Sequence, residues 1–202
     1  LQGLGRYEEA VQCYERALEI DPQLADAMRR SGVALLGSGK YKEAEAALRR
    51  ASEAEPEHAG AWANLGDSLQ FQHRYDDALR AYERGLQVNP DLPELLNNIG
   101  AAYRGKGDLK TAQRYFEGAF EVSPSLSSAR INVANTRYSL GFIDEAIERH
   151  REILKLDPGS MSAARQILMI LLYQPGLSPD ALFEEHRDFA RRYAYRGPPA
   201  PA

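Results

Sequence analysis

Residues 59–92 read AGAWANLGDSLQFQHRYDDALRAYERGLQVNPDL, and their spacing decides the fold. Tyr75, Ala78, Leu79, Tyr82 and Leu86 recur at steps of three and four, which puts them on one face of a helix. Pro90 disfavours helical geometry at Asn89 and so ends that helix. The stretch is one copy of a recurring unit. Pro22, Pro56, Pro90, Pro124 and Pro158 stand 34 residues apart, as do Ala10, Ala44, Ala78, Ala112 and Ala146. The next proline would fall at Arg192, so the periodic part ends before the chain does. A period of this length marks stacked helix–turn–helix units, each burying its apolar face against its neighbours. Function is then expected on an extended groove rather than in an enclosed pocket.

Composition narrows the function classes. The 202 residues carry a formal net charge of −4, which offers no electrostatic footprint for nucleic acid or an anionic membrane. The single cysteine, Cys13, can close neither an internal disulfide nor a multi-thiolate metal site; its helix position predicts a small apolar filler. The longest apolar stretch, Ile167 to Leu172, is far short of the roughly 20 residues that span a bilayer, and no charged-then-apolar leader opens the sequence. A soluble, cytoplasmic protein is expected. The chain opens at Leu1 in the middle of a unit and closes in Gly197-Pro198-Pro199-Ala200-Pro201-Ala202, a linker composition. Both ends read as cuts from something longer.

With each unit numbered so that its proline is position 32, complete units span 25–58, 59–92, 93–126 and 127–160, with a partial unit at 1–24 and a degenerate one from 161. Position 8 then holds Gly32, Gly66, Gly100 and Ala134, and position 27 holds Ala17, Ala51, Gly85, Ala119 and Ile153. Small residues there let paired helices approach closely. Position 24 (Tyr14, Leu48, Tyr82, Phe116, His150) and position 17 (Tyr7, Tyr41, Tyr75, Leu109, Ile143) supply the bulk that fills the remaining space.

Trp62-x-x-Leu65-Gly66, followed by Tyr75, Ala78, Tyr82 and Pro90, resembles the tetratricopeptide (TPR) repeat, and the resemblance covers residues 1–160. It implies an all-α fold, a right-handed superhelix (α-solenoid) of antiparallel helix pairs with first helices lining the concave face and second helices outside. The partial first unit lacks its first helix, which leaves Tyr7, Val11, Tyr14 and Leu18 uncovered on one side. An uncovered solenoid end is a pairing site, so a partner chain, a second copy included, or further upstream repeats are expected to cover it.

In a TPR unit, positions 2, 5, 6, 9, 12 and 13 of the first helix face the groove. Position 6 reads Arg30, Asn64, Asn98, Asn132 and Gln166. A side-chain amide both donates and accepts, so a ladder of them can bridge the N–H and C=O groups of an extended peptide without reading its side chains. Neighbouring positions add Asp67, Gln70, Asn97, Arg104, Asn135 and Tyr138, a neutral, polar, amide-rich groove. The predicted peptide-binding residues are Asn64, Asn98, Asn132, Asp67, Asn97, Asn135, Arg30 and Gln166. Replacing the three ladder asparagines by alanine is expected to weaken peptide binding with little loss of stability. The competing reading is a solvated polar face; asparagine's helix-propensity deficit of roughly a few tenths of a kcal/mol weighs slightly against it. The carboxylate clamp of heat-shock co-chaperones does not fit. Arg29, Val33 and Asn64 are followed by Glu94 and Asn98 where that pattern has two cations, and Glu94 would repel a carboxylate.

No catalytic site assembles. His58 and His73 fall in turns and read as solvated, while His150 takes a packing position and reads as a partly buried ring. No two histidines share i, i+4 spacing and no Cys/His cluster has metal-ligand spacing. No cofactor or metal is expected.

Beyond the array, Met161 to Leu172 begins like another first helix. Pro175-Gly176 makes a turn, and Ser178 as cap with Pro179 at the first helical position starts a closing helix through Leu182, Phe183, His186, Phe189 and Tyr193. Residues 161–196 thus read as a degenerate repeat with a capping helix, and 197–202 as linker. Tyr173-x-Pro175-x-Leu177-Ser178-Pro179, with Leu182-Phe183-x-x-His186-Arg187 and Arg191-Arg192-Tyr193-Ala194, is similar to the junction in bacterial Spindly-like, O-linked N-acetylglucosaminyltransferase-type proteins, where a TPR array runs into nucleotide-sugar transferase lobes. That resemblance implies a substrate-recognition array cut from a protein glycosyltransferase, in which asparagines of the inner face hold substrate backbone. It carries over no catalytic or donor-binding residue. The alternative is a free-standing TPR scaffold for a multiprotein complex.

Overall fold

The computed structural model describes residues 2–174 and 176–193. Among them lie eleven α-helices and no strand: α1 (Gln2–Ile20), α2 (Ala25–Gly37), α3 (Tyr41–Ala54), α4 (Ala59–Phe71), α5 (Tyr75–Val88), α6 (Pro93–Gly105), α7 (Leu109–Val122), α8 (Ser127–Ser139), α9 (Ile143–Leu156), α10 (Met161–Leu172) and α11 (Pro179–Tyr193). They fall into two compact units, Leu1–Leu126 with α1–α7 and Ser127–Ala202 with α8–α11. The predicted linker at 197–202, Pro175 of the predicted turn and Ala194 of the tail motif lie outside the described residues.

In the first unit, α2 pairs with α3, α4 with α5 and α6 with α7. Position 8 sets this pairing. A Cβ added to Gly66 would stand 2.2 Å from the ring of Tyr82, one on Gly100 2.7 Å from that of Phe116, and one on Gly32 2.4 Å from Leu48. The missing side chain is the space into which the large position-24 residue inserts. Leu48, Tyr82 and Phe116 are fully buried, each such burial stabilising by about 1.5–3 kcal/mol. Along the array, α2 touches α4 and α4 touches α6, whereas no contact of comparable extent joins α3 to α5 or α5 to α7. First helices therefore stand closer together than second helices and form the inner wall of this unit.

Each complete second helix stops at the residue before its proline. Glu55, Asn89 and Ser123 leave helical geometry at φ of −127°, −138° and −138°, and their N–H groups donate to the position-27 carbonyls of Ala51, Gly85 and Ala119. The turn between paired helices needs a left-handed residue at position 15. Gly39 and Gly107 supply it at φ 79° and 84°, but unit 59–92 places His73 there at φ 59°. The turn reading of His73 holds; its backbone conformation, which disfavours any residue with a Cβ, is a further finding. The ring is not merely solvated, since its Nδ1 lies 2.9 Å from the Tyr75 hydroxyl. His58 also does more than meet solvent: its Nδ1 accepts from the N–H of Ala61 at 3.2 Å and caps α4. On α1, Cys13 is an exposed thiol rather than the expected apolar filler.

In the second unit, α8 pairs with α9, α9 with α10 and α10 with α11. Its core gathers Ala146, Ile147, Ile167, Ile170 and Leu171, with Leu177 and Leu182 packed against it. The predicted cap of α11 is present: Ser178 Oγ accepts from the N–H of Ala181 at 3.2 Å. The helix is seated by few groups. None of its residues is fully buried, Phe183 is exposed, and among the described residues its polar ties include Arg151 to Glu185 at 2.9 Å and the Tyr193 hydroxyl to the Pro158 carbonyl at 2.7 Å. His150 is fully buried rather than partly so, and neither ring nitrogen meets a hydrogen-bonding partner among the described residues. Burial alone pulls its pKa down to about 4.

These packings generate predictions of two kinds, the first on backbone and crossing strain and the second on acid. Gly66→Ala should destabilise the chain by about 1–3 kcal/mol in denaturant titration, whereas His73→Gly should stabilise it by about 1 kcal/mol by relieving the left-handed strain. The second concerns acid. An unfolded His150 protonates near pH 6.5, the native one only near 4. Above pH 6.5 both states are neutral; as pH falls towards 4 the unfolded state takes the proton first, so stability drops by up to about 3 kcal/mol. His150→Phe combined with Ala134→Gly, the pair present in unit 93–126, should remove that acid sensitivity.

Candidate functional site

The inner wall of the first unit is built by α2, α4 and α6, and one polar network crosses it. The Tyr82 ring, admitted by Gly66, carries its hydroxyl through to the wall and donates to Asp67 Oδ1 at 2.7 Å, with Gln70 Oε1 at 3.3 Å. From the next repeat, Asn98 Nδ2 donates to the same Oδ1 at 2.8 Å. Positions 24 and 9 are matched in polarity in the three complete units of the first compact unit. Tyr82 meets an acid, while the apolar Leu48 and Phe116 share their units with Val33 and Ala101. Desolvation pushes the Asp67 carboxyl up to about 6, against the opposing pull of the Tyr82 and Asn98 hydrogen bonds. The same burial, with the Asp67 charge beside it, pushes the Tyr82 phenol up.

The predicted binding residues separate into groups. Asn64 is half-buried on α4 and its amide makes no hydrogen bond among the described residues. Asn98 spends a donor on Asp67, so it is part of the framework as well as of the wall. Asn97 is buried, 8% exposed. Arg30 is held by Asp26 on its own helix, Nε to Oδ2 at 2.6 Å, and Arg29 pairs with the same carboxylate. Arg104 lies with its guanidinium 5.3 Å from the ring centroid of Phe116. In the second unit, Asn132 and Asn135 on α8 and Gln166 on α10 are half-buried.

In the second unit the amides have exposed apolar neighbours. At repeat positions 9, 12 and 13 of this unit, Tyr138, Met169, Leu172 and Tyr173 are exposed, Tyr173 by 69%. The first unit holds one such residue the sequence reading overlooked. Phe71, 54% exposed, stacks on Tyr41 with ring centroids 5.1 Å apart and planes within 10°. Position 13 is Gly37 and Gly105 in the flanking units, so the aromatic break in that series was the available signal. Among the described residues no group of acidic, histidine or cysteine side chains could hold a metal ion.

Helix pairs of constant period, closed by position-8 glycines and stopped before each proline, define an all-α TPR array, an α-solenoid. The family described as Cilia and flagella-associated protein 70 C-terminal domain matches residues 2–169, and the chain belongs to that family. The match stops short of α11, and the tail motif, which begins at Tyr173, lies beyond it. No curated relative matches the chain by sequence. Solved structures share the fold. A thermophilic TPR protein of Thermus thermophilus superposes with a TM-score of 0.73 at 23% identity over 85% of this chain and 94% of that one. YrrB, described as a TPR protein with an unusual peptide-binding site, gives 0.66 at 18% identity over 92% and 95%. MamA gives 0.66 at 20% identity over 75% and 88%.

The hydrogen bond from Asn98 corrects the expectation that the asparagines can be removed at little cost. Asn98→Ala should destabilise the chain by about 1–2 kcal/mol, because a partly desolvated carboxylate loses a donor, while Asn64→Ala should change stability by less than about 0.5 kcal/mol. Paired denaturant titrations of the two variants measure the difference.

Proposed function

We propose that the chain is a protein-interaction module that holds extended polypeptide along the first helices of its first unit, with Asn64 as a backbone-reading amide and Asn98 holding the wall in register; in the second unit, taken by itself, Asn132 would read backbone in the same way. The observation that carries this reading is the half-buried Asn64 amide, which stands unpaired among the described residues on the wall formed by α2, α4 and α6. An amide there offers a donor and an acceptor to a passing backbone. That YrrB, of the same fold, is described with a peptide-binding site adds support. In the second unit, taken by itself, Asn135 and Gln166 add further amides, and the exposed Tyr138, Met169 and Tyr173 would take apolar side chains of a ligand held there. Among the described residues no helix is long and apolar enough to cross a membrane, and we place the module in the cytoplasm. A second copy covering α1, none of whose described side chains is fully buried, belongs to the same reading.

The leading form of this function is a scaffold or adaptor for a multiprotein complex. A second form, the substrate-recognition region of a protein O-glycosyltransferase, rests on the sequence resemblance of the tail from Tyr173 to Ala194 alone. The coding sequence after Ala202 separates the two, since transferase lobes require several hundred further residues of alternating strand and helix. For the module itself, Asn64→Ala with Asn132→Ala should weaken binding to extended peptide by roughly tenfold, the worth of one or two hydrogen bonds. Unchanged affinity in titration calorimetry would remove the amide ladder.

A further inference from the structure

On the first unit's inner wall Arg29, Arg30 and Arg104 equal Asp26, Asp67 and Glu94 in number, but the cations are not placed against Asp67. Arg29 and Arg30 are both engaged by Asp26, and Arg104 sits against the Phe116 ring. Asp67 has no cation within ion-pair distance among the described residues; only neutral groups, the Tyr82 hydroxyl and the Asn98 amide, donate to it. Both converge on Oδ1. Oδ2 carries no hydrogen bond among the described residues, and Asp67 is half-buried rather than fully buried. Satisfying the Tyr82 hydroxyl requires one acceptor, which an asparagine would supply without the cost of desolvating a charge. A carboxylate here is more than the packing needs.

One turn further along α4, four residues away and so on the same face, stands Phe71, backed on one side by Tyr41 and still more than half exposed. An unpaired carboxylate oxygen and an exposed aromatic ring spaced by one helical turn suit a planar cation. A guanidinium can donate to the carboxylate and lie against the ring at once, which a compact ammonium does less well. Asn64 lies on the same helix, one turn before Asp67. Its amide would hold the backbone beside that side chain.

We propose that Asp67 and Phe71 form a specificity subsite for a basic side chain, arginine in preference to lysine, of the polypeptide bound along α2, α4 and α6. The inference rests on the groove-binding function above and adds the chemistry of its ligand. Asp67 is then the charge-reading residue, and Phe71 the platform.

The test uses the full chain and two matched sets of ten-residue peptides, one with arginine fixed at the fifth position and one with citrulline there, the other nine positions being equimolar mixtures. Citrulline keeps the shape and removes the charge. Fluorescence anisotropy should show the arginine set binding roughly tenfold more tightly than the citrulline set. Asp67→Asn keeps an oxygen for Tyr82 and Asn98 and should bring that ratio to about one; Phe71→Ala should reduce it by roughly threefold. Equal binding of both sets by the unaltered chain, or a preference that survives in Asp67→Asn, overturns the cation subsite and leaves the groove intact. If neither set binds, the groove-binding function itself fails, and the subsite with it.

Discussion

The structure depends on an absence. Where Gly32, Gly66 and Gly100 lack a Cβ, Leu48, Tyr82 and Phe116 enter the crossing of their helix pairs; an added methyl carbon would stand between 2.2 and 2.7 Å from them. Core packing at such distances does not relax by small adjustments. The close crossing fixes which face of each first helix is spent on its partner and which remains for the wall. Helix pairs built this way can repeat with the same offset. The inner wall is therefore a consequence of packing on its opposite side.

That coupling explains how a core residue shapes the surface. Tyr82 is a core ring whose hydroxyl ends at the wall, and Asp67 receives it. Asn98, from the following repeat, joins the same carboxylate oxygen. Three helices thereby share one polar node, held in surroundings dry enough to lift the carboxyl to about 6. A charge kept there without a cation is a standing electrostatic preference of the wall. In the second unit the equivalent core residue is His150, whose nitrogens find no partner among the described residues. The same position in the repeat thus creates a polar node in one unit and an acid-sensitive spot in the other.

Much of the fold was legible because its determinants repeat at a fixed offset. The series of prolines and position-8 glycines each encode a local rule, a helix stop and a close crossing, and the structure obeys both. The left-handed turn at His73 could also have been read, since Gly39, Gly107 and Gly141 mark that position elsewhere. The node was harder to see. Asn98 meets Asp67 across 31 residues, three short of the repeat, and so joins different positions of neighbouring units. Comparison of like positions alone cannot show such a bond. The burial of Asn97 beside the half-buried Asn98 was hidden for a related reason, as adjacent residues on a helix point about 100° apart and a list of groove positions treats both alike.

The central claim is that ligand lies against the first helices and not the second. Side-chain and backbone amide NMR shifts recorded while extended peptide is added test it most directly. The account predicts that the Asn64 side-chain NH₂ and residues of α2, α4 and α6 move first and furthest. Shifts confined to α3, α5 and α7, with the Asn64 amide unmoved, would contradict it.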